Sequence, residues 1–188
     1  MLHSRFSRIV HRVLCRAVFS RPRVRTSLRR FRSGHTEPLE VRQLLTGDFD
    51  SAVRFGSTGE DYGQAIATDA SGNVYTTGAF EGTVDFDPGS GTANLTSSGG
   101  PDIFVCKLDS AGNFVWAKRM GGTFDERSKG IAVDRSGNVL TIGFFFGTAD
   151  FDPGNGTTVL TSAGASDVFV SKLDSTGNFV WAKRWGGN

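Results

Sequence analysis

Between residues 57 and 186 the pattern of apolar and polar positions returns with a period of 65. Aligned without a gap, Ser57–Gly121 and Gly122–Gly186 are identical at 40 of 65 positions, so the region is a tandem repeat. Inside each copy the chain twice writes Asp-x-x-Gly-Asn, at Asp69–Asn73, Asp109–Asn113, Asp134–Asn138 and Asp174–Asn178. An aspartate opening a type I turn accepts from amides within it, and a glycine three residues later takes the left-handed conformation that closes a bulged hairpin. Runs of β-forming residues flank every turn. The expected pairings are Ala65–Thr68 with Val74–Phe80 and Ile103–Leu108 with Phe114–Arg119. The second copy repeats them as Ile131–Val133 with Val139–Phe145 and Val168–Leu173 with Phe179–Arg184. Two hairpins per period make a four-stranded antiparallel sheet, the size of one propeller blade.

The predicted fold class is therefore all-β: two tandem four-stranded antiparallel β-propeller blades with a 65-residue period. A blade needs only ~40–50 residues. The surplus falls in Thr83–Pro101 and Thr148–Ser166, a Gly/Ser/Thr-rich excursion built around Asp-Phe-Asp-Pro-Gly and anchored to the blade by Phe86 and Phe151. Lys107, Lys172, Lys118 and Lys183 alternate with apolar neighbours and are expected on a solvated face, whereas Trp116 and Trp181 read as blade-packing residues. The acid pairs Glu60/Asp61 and Asp125/Glu126 mirror each other at the blade junction and read as a solvated loop. Two blades form an incomplete ring, since closure needs roughly 4–8. Either the chain is partial, or copies associate as a homo-oligomer that completes the ring; left open, its sheet edges invite aggregation.

Charge divides the chain. Residues 1–33 hold ten arginines and no acid, while the remainder carries 11 Lys/Arg against 19 Asp/Glu. Within the arm Ile9, Val10, Val13, Leu14, Ala17 and Val18 recur at helical spacing, with Arg8, Arg12 and Arg16 on the other face. This is a short basic amphipathic helix, ended near Pro22, in an arm otherwise helical in part or disordered. It suits an anionic surface or a targeting receptor. Basic arms also grip phosphates, but no base-stacking platform accompanies this one, and nucleic acid is not the expected partner. No run approaches the ~20 apolar residues of a membrane-spanning helix. Of two cysteines, Cys15 lies in the arm, and Cys106 sits where the other copy has Ser171, as a small packed thiol rather than half of a required disulfide.

Two stretches resemble known families. Glu37-Pro-Leu-Glu-Val-Arg-Gln-Leu-Leu45 resembles the LExRxLL motif of large exported surface proteins of planctomycete bacteria, matched by Leu39, Glu40, Arg42, Leu44 and Leu45. A loop with a chance Leu-Leu pair is the plainer alternative. The runs IAxDxSGNVxxxG and DxFVxKLDxxGNFVWAKxxGG, over about Phe55 to Asn188, resemble the bacterial SBBP repeat, named for a seven-bladed propeller. The first resemblance implies that residues 1–47 are a basic leader and sorting segment. The second implies an extracellular propeller module with no shared catalytic residues. The division expected is 1–47 leader, 48–120 first blade, and 121–188 second blade with the start of a third.

Chemistry has few places to reside. All three histidines, His3, His11 and His35, lie in the arm, which removes serine triads and histidine-held metals from the repeats. The best candidate for a metal is calcium at Asp85 and Asp87, with the twin Asp150 and Asp152. Carboxylates at i and i+2 point to one side of an extended strand and offer the oxygens that Ca²⁺ takes. A Pro-Gly turn whose aspartates cap backbone amides explains the same residues. Asn94-Leu-Thr and Asn155-Gly-Thr fit the glycosylation acceptor pattern. The function expected is that of a non-enzymatic, exported or cell-surface repeat protein, a structural or binding module for a protein or glycan ligand without an organic cofactor. The alternatives are calcium-dependent binding through the Asp-Phe-Asp-Pro-Gly loops, and a piece of a polysaccharide-degrading propeller enzyme.

Overall fold

A computed structural model describes residues 52–187; the expected arm helix, the sorting motif and Cys15 lie outside them. Ten strands form, with no helix among the described residues. The first blade is a meander of β1 (Asp61–Thr68), β2 (Val74–Phe80), β5 (Asp102–Leu108) and β6 (Phe114–Gly122). The second is β7 (Glu126–Val133), β8 (Val139–Asp150), β9 (Val159–Leu173) and β10 (Phe179–Trp185), each strand antiparallel to its neighbour. The last two residues of β6, Gly121 and Gly122, pair with Asp150 and Ala149 of β8 and so tie the blades together.

All four predicted hairpins form. In each turn the aspartate Oδ1 accepts from the amides two and four residues on, and Oδ2 accepts from the asparagine side chain. The turn glycines Gly72, Gly112, Gly137 and Gly177 have φ between 79° and 87°, a region where a Cβ is strained. Each first strand starts earlier than expected, at Asp61 and Glu126. Irregularities between Gly63 and Ala65, and between Ser128 and Gly130, break the alternation that would have revealed it.

The excursions are more ordered than a loop reading implied. In the first copy β3 (Thr83–Asp85) and β4 (Asn94–Thr96) make a separate small hairpin. In the second copy the same residues prolong β8 and β9, pairing Thr148 with Thr161 and Asp150 with Val159. Phe86 and Phe151 are buried as expected. Phe86 stacks at 5.5 Å on Phe80 and 5.0 Å on Phe104, and Phe151 at 5.3 Å on Phe145 and 4.8 Å on Phe169.

Each blade has two faces, and the front of the second packs on the back of the first. Tyr75, Ile103, Val105, Trp116 and Met120 on one side meet Val139, Phe145, Phe151 and Phe169 on the other in a single apolar cluster. The front of the first blade, with Phe80, Val84, Phe86, Phe104 and Leu108, makes a second cluster covered in part by Val53 and Phe55. Burying such side chains is worth roughly 1.5–3 kcal/mol each, so the interblade layer dominates the stability of the pair.

Candidate functional site: the blade junction and the exposed loops

The junction concentrates the buried charge. Asp102 opens β5 and Glu126 opens β7, and both are fully buried. Asp102 forms an ion pair with Arg119 and accepts from the Ser98 amide. Glu126 Oε2 accepts from the Gly122 amide at 2.8 Å. Asp102 Oδ1 and Glu126 Oε1 are buried with no hydrogen-bond partner, and the two carboxyls converge on the space beside Gly121. Two buried carboxylates placed together disfavour double ionisation, so one of them keeps a proton. Burial pushes Glu126 up to about 8, reinforced by the negative charge of Asp102 and opposed by the Gly122 amide. Burial also raises Asp102, against the pull of Arg119. Glu126 is thus the proton carrier at neutral pH. Gly121 leaves the space, since a Cβ there would lie 2.6 Å from Asp102 Cγ and 2.8 Å from Glu126 Oε2.

The expectation of a solvated acid loop at Asp125/Glu126 is therefore corrected for Glu126. The chain enters β7 at this residue and the first blade closes over it. The first-blade lysines are corrected too. Lys107 and Lys118 are half-buried, because the second blade packs on their face; Lys107 Nζ lies 5.0 Å from the Tyr75 ring and 3.5 Å from the Ser175 carbonyl. Lys172 is half-buried in an ion pair with Asp134, and Lys183 is exposed as expected. Trp116 packs between the blades with Nε1 donating to the Ser175 carbonyl at 3.3 Å, whereas Trp181 stays partly open. A second polar bridge crosses the layer: the Thr77 hydroxyl joins the Phe104 carbonyl and Ser128 Oγ, which donates to the Gly78 carbonyl. Cys106 is a fully buried thiol in register with Thr76.

In the Asp-Phe-Asp-Pro-Gly loops Asp85 is exposed, and Asp87, Asp150 and Asp152 are half-buried. Asp85 Oδ1 accepts from the amides of Asp87 at 3.0 Å and Ala93 at 2.8 Å, and Asp87 Oδ1 from Gly89 at 2.8 Å. Asp150 and Asp152 repeat this with the amides of Asp152, Thr158 and Gly154. The Ala93 and Asp87 amides hold Asp85 below the usual carboxylate range. Among the described residues no group of three or more histidine, cysteine or acidic side chains is placed to hold a metal ion. Nor, among them, is any helix long and apolar enough to cross a membrane.

No family model matches the chain. It is 34% identical over 126 residues to an uncharacterized WD repeat-containing protein of Acanthamoeba polyphaga mimivirus, a match that takes in 62% of this chain and 9% of the relative. The chain thus spans about a tenth of that relative's length. The two antiparallel four-stranded blades packed face to face are propeller-like, and the similarity to a WD repeat-containing protein is consistent with them.

Proposed function

We propose that the chain is a non-enzymatic binding module whose blades present the Asp-Phe-Asp-Pro-Gly loops as a contact surface for a protein or glycan. The observation that carries this reading is the division of labour among the polar groups. Those at the junction and in the turns are spent on structural hydrogen bonds, while the loop tips Ser90 and Asn155 point outward on rigid hairpins. Similarity to a WD repeat-containing protein supports it, as does the SBBP-like character of both hairpins. The test is retention of the full chain on peptide and glycan arrays, repeated with Ser90→Arg and Asn155→Arg together. Binding lost in the double variant with an unchanged circular dichroism spectrum supports the loops; undiminished binding moves the contact surface elsewhere.

The export reading rests on the basic arm and the LExRxLL-like segment. Fractionation of the native host, with amino-terminal sequencing of the mature chain, tests both location and cleavage. The calcium-dependent alternative rests on carboxylates recurring at i and i+2 in both loops. A saturable rise in melting temperature with millimolar Ca²⁺, lost in Asp87→Asn with Asp152→Asn, supports it; no shift removes it.

A further inference from the structure

The back of the second blade repeats, position for position, a face that is covered in the first. Ile103 is 0% exposed and its counterpart Val168 44%; Met120 is 1% and Trp185 54%; Thr77 is 0% and Ile142 46%. What covers the first blade is the front of the next repeat. The open face therefore has the chemistry of a junction lacking its second half.

Its polar part is already in place. Asp167 matches Asp102, has a fully buried side chain, pairs with Arg184 as Asp102 does with Arg119, and abuts Gly186 as Asp102 abuts Gly121. Its Oδ1 has no hydrogen-bond partner. At the covered junction the matching Asp102 oxygen faces the acid that opens the next blade, Glu126. The counterpart of Glu126 in the first blade is Asp61, whose Oδ1 is likewise buried without a partner. Asp61 lines a cavity of about 30 Å³ with Phe55, Gly56, Thr76, Phe80 and Phe86.

A third observation supplies the seat. Ala52-Val-Arg-Phe-Gly-Ser57 aligns with Ala117-Lys-Arg-Met-Gly-Gly122 and Ala182-Lys-Arg-Trp-Gly-Gly187. The first sits on blade one as the second sits on blade two. Ser57 N donates to Asp61 as Gly122 N donates to Glu126, and Phe55 packs on the front cluster as Met120 does on the next. Residues 52–57 form no strand, however, whereas 117–122 belong to β6 and its glycines pair with β8. The first seat is the weaker one and can be exchanged.

We propose that the open face of the second blade docks the first blade of a second copy of this chain, head to tail, with Ala182–Gly187 of one copy replacing Ala52–Ser57 of the other. Asp167 of one chain then meets Asp61 of the next, with Arg184 beside them. Gly186 and Gly187 take up the ladder positions opposite Asp85 and Val84 that Gly121 and Gly122 hold opposite Asp150 and Ala149. Such an interface is heterologous, so copies add until the rotation closes a ring. Roughly 4–8 blades, hence about two to four chains, satisfy closure. This inference rests on the propeller reading and specifies how its blades associate.

The experiment is light scattering and sedimentation velocity on the full chain at about 1–50 μM, in enough salt to screen the basic arm. Wild type is compared with Trp185→Arg and Asp61→Asn. The expected wild-type result is a discrete species of two to four chains. Trp185 is exposed in the single chain, so its arginine variant should match the wild-type melting temperature at concentrations where both are single chains, while associating at least about 30-fold more weakly. Asp61→Asn replaces one of the two facing carboxylates with an amide that can donate to Asp167 Oδ1, and should tighten association about tenfold. A single-chain mass for wild type, or an oligomer indifferent to both changes, overturns the docking and leaves the blades intact. A melting temperature that falls in Trp185→Arg where both proteins are single chains would show instead that the blade assignment itself is at fault.

Discussion

Replacing Glu126 with glutamine should make the protein more stable at neutral pH, and the gain should disappear in acid. Folded, Glu126 keeps its proton to about pH 8, against an ordinary value of 4.5 when exposed. Its stabilising contribution is complete below 4.5 and is lost progressively as pH rises toward 8, because unfolding then releases a proton that the native state must hold. Each tenfold difference in proton affinity is worth about 1.4 kcal/mol, so by pH 7 the accumulated loss is roughly 3 kcal/mol at most. Part of the shift belongs to the pair with Asp102 rather than to Glu126 alone, and a measured gain of about 1–3 kcal/mol is expected. Glutamine has the shape of the protonated acid: its carbonyl can accept from the Gly122 amide, and its amide can donate to Asp102 Oδ1.

The assay is urea unfolding followed by tryptophan fluorescence from about pH 4.5 to 8.5, on wild type and Glu126→Gln side by side. The wild-type free energy should fall with pH across this range and that of the variant should stay nearly flat, the two meeting near pH 4.5. Parallel profiles would mean that Glu126 titrates normally and retains no proton at neutral pH. A variant less stable at every pH would mean that the carboxyl does something in the junction that an amide cannot.

Three further outcomes follow from the same structure. A Cβ on Gly143 would lie 2.7 Å from Ser128 Cα and 2.8 Å from the Phe169 ring, so Gly143→Ala should cost about 2–3 kcal/mol in urea unfolding; a loss under about 0.5 kcal/mol would show that the irregular β7 yields freely. Thr77→Val should cost about 1–2 kcal/mol by removing the hydroxyl that bonds Ser128 Oγ and the Phe104 carbonyl, and should cost less in a Ser128→Ala background; strictly additive losses in the double-mutant cycle would deny the bridge. Asp174 is held down to about 2, first by the Asn178 amide, so its contribution is present above its ordinary 3.8 and lost as pH falls through 2. Asp174→Asn should therefore flatten the acid limb of the stability profile between about pH 4 and 2, and an unchanged slope there would exclude the turn as its source.

The hairpins were legible because each of their parts is local. An aspartate, a left-handed glycine and an asparagine within five residues determine a turn, and the apolar runs beside it determine the strands. Phe86 and Phe151 were legible for a similar reason: one large aromatic in each polar excursion has nowhere else to go. The beginnings of β1 and β7 were not legible. Near Gln64 and Lys129 the register slips by a residue, so a pattern of period two reads as loop. The lysine face was misread because Lys107 and Lys118 alternate correctly within their own blade. The neighbour that half-buries them is the next copy of the same sequence, which no local pattern describes.

Glu126 failed to stand out for a deeper reason. Side by side, Asp125/Glu126 and Glu60/Asp61 are two acid pairs beside glycines, and solvated loops contain many such pairs. What separates them is which residue meets Asp102, and that depends on how one blade seats on another. The apolar layer of Tyr75, Ile103 and Val105 with Val139, Phe145 and Phe169 attracts without direction. The carboxyl pair cannot slide. Displaced by one position, Glu126 would lose the Gly122 amide and the neighbouring Asp102 carboxyl, leaving a buried carboxyl group without a partner. The hydrophobic faces therefore supply the affinity between blades, and the acid pair supplies the register. Because Asp61 and Asp167 carry the two halves of that pair at the outer faces, the same argument selects one seating for whatever repeat docks there.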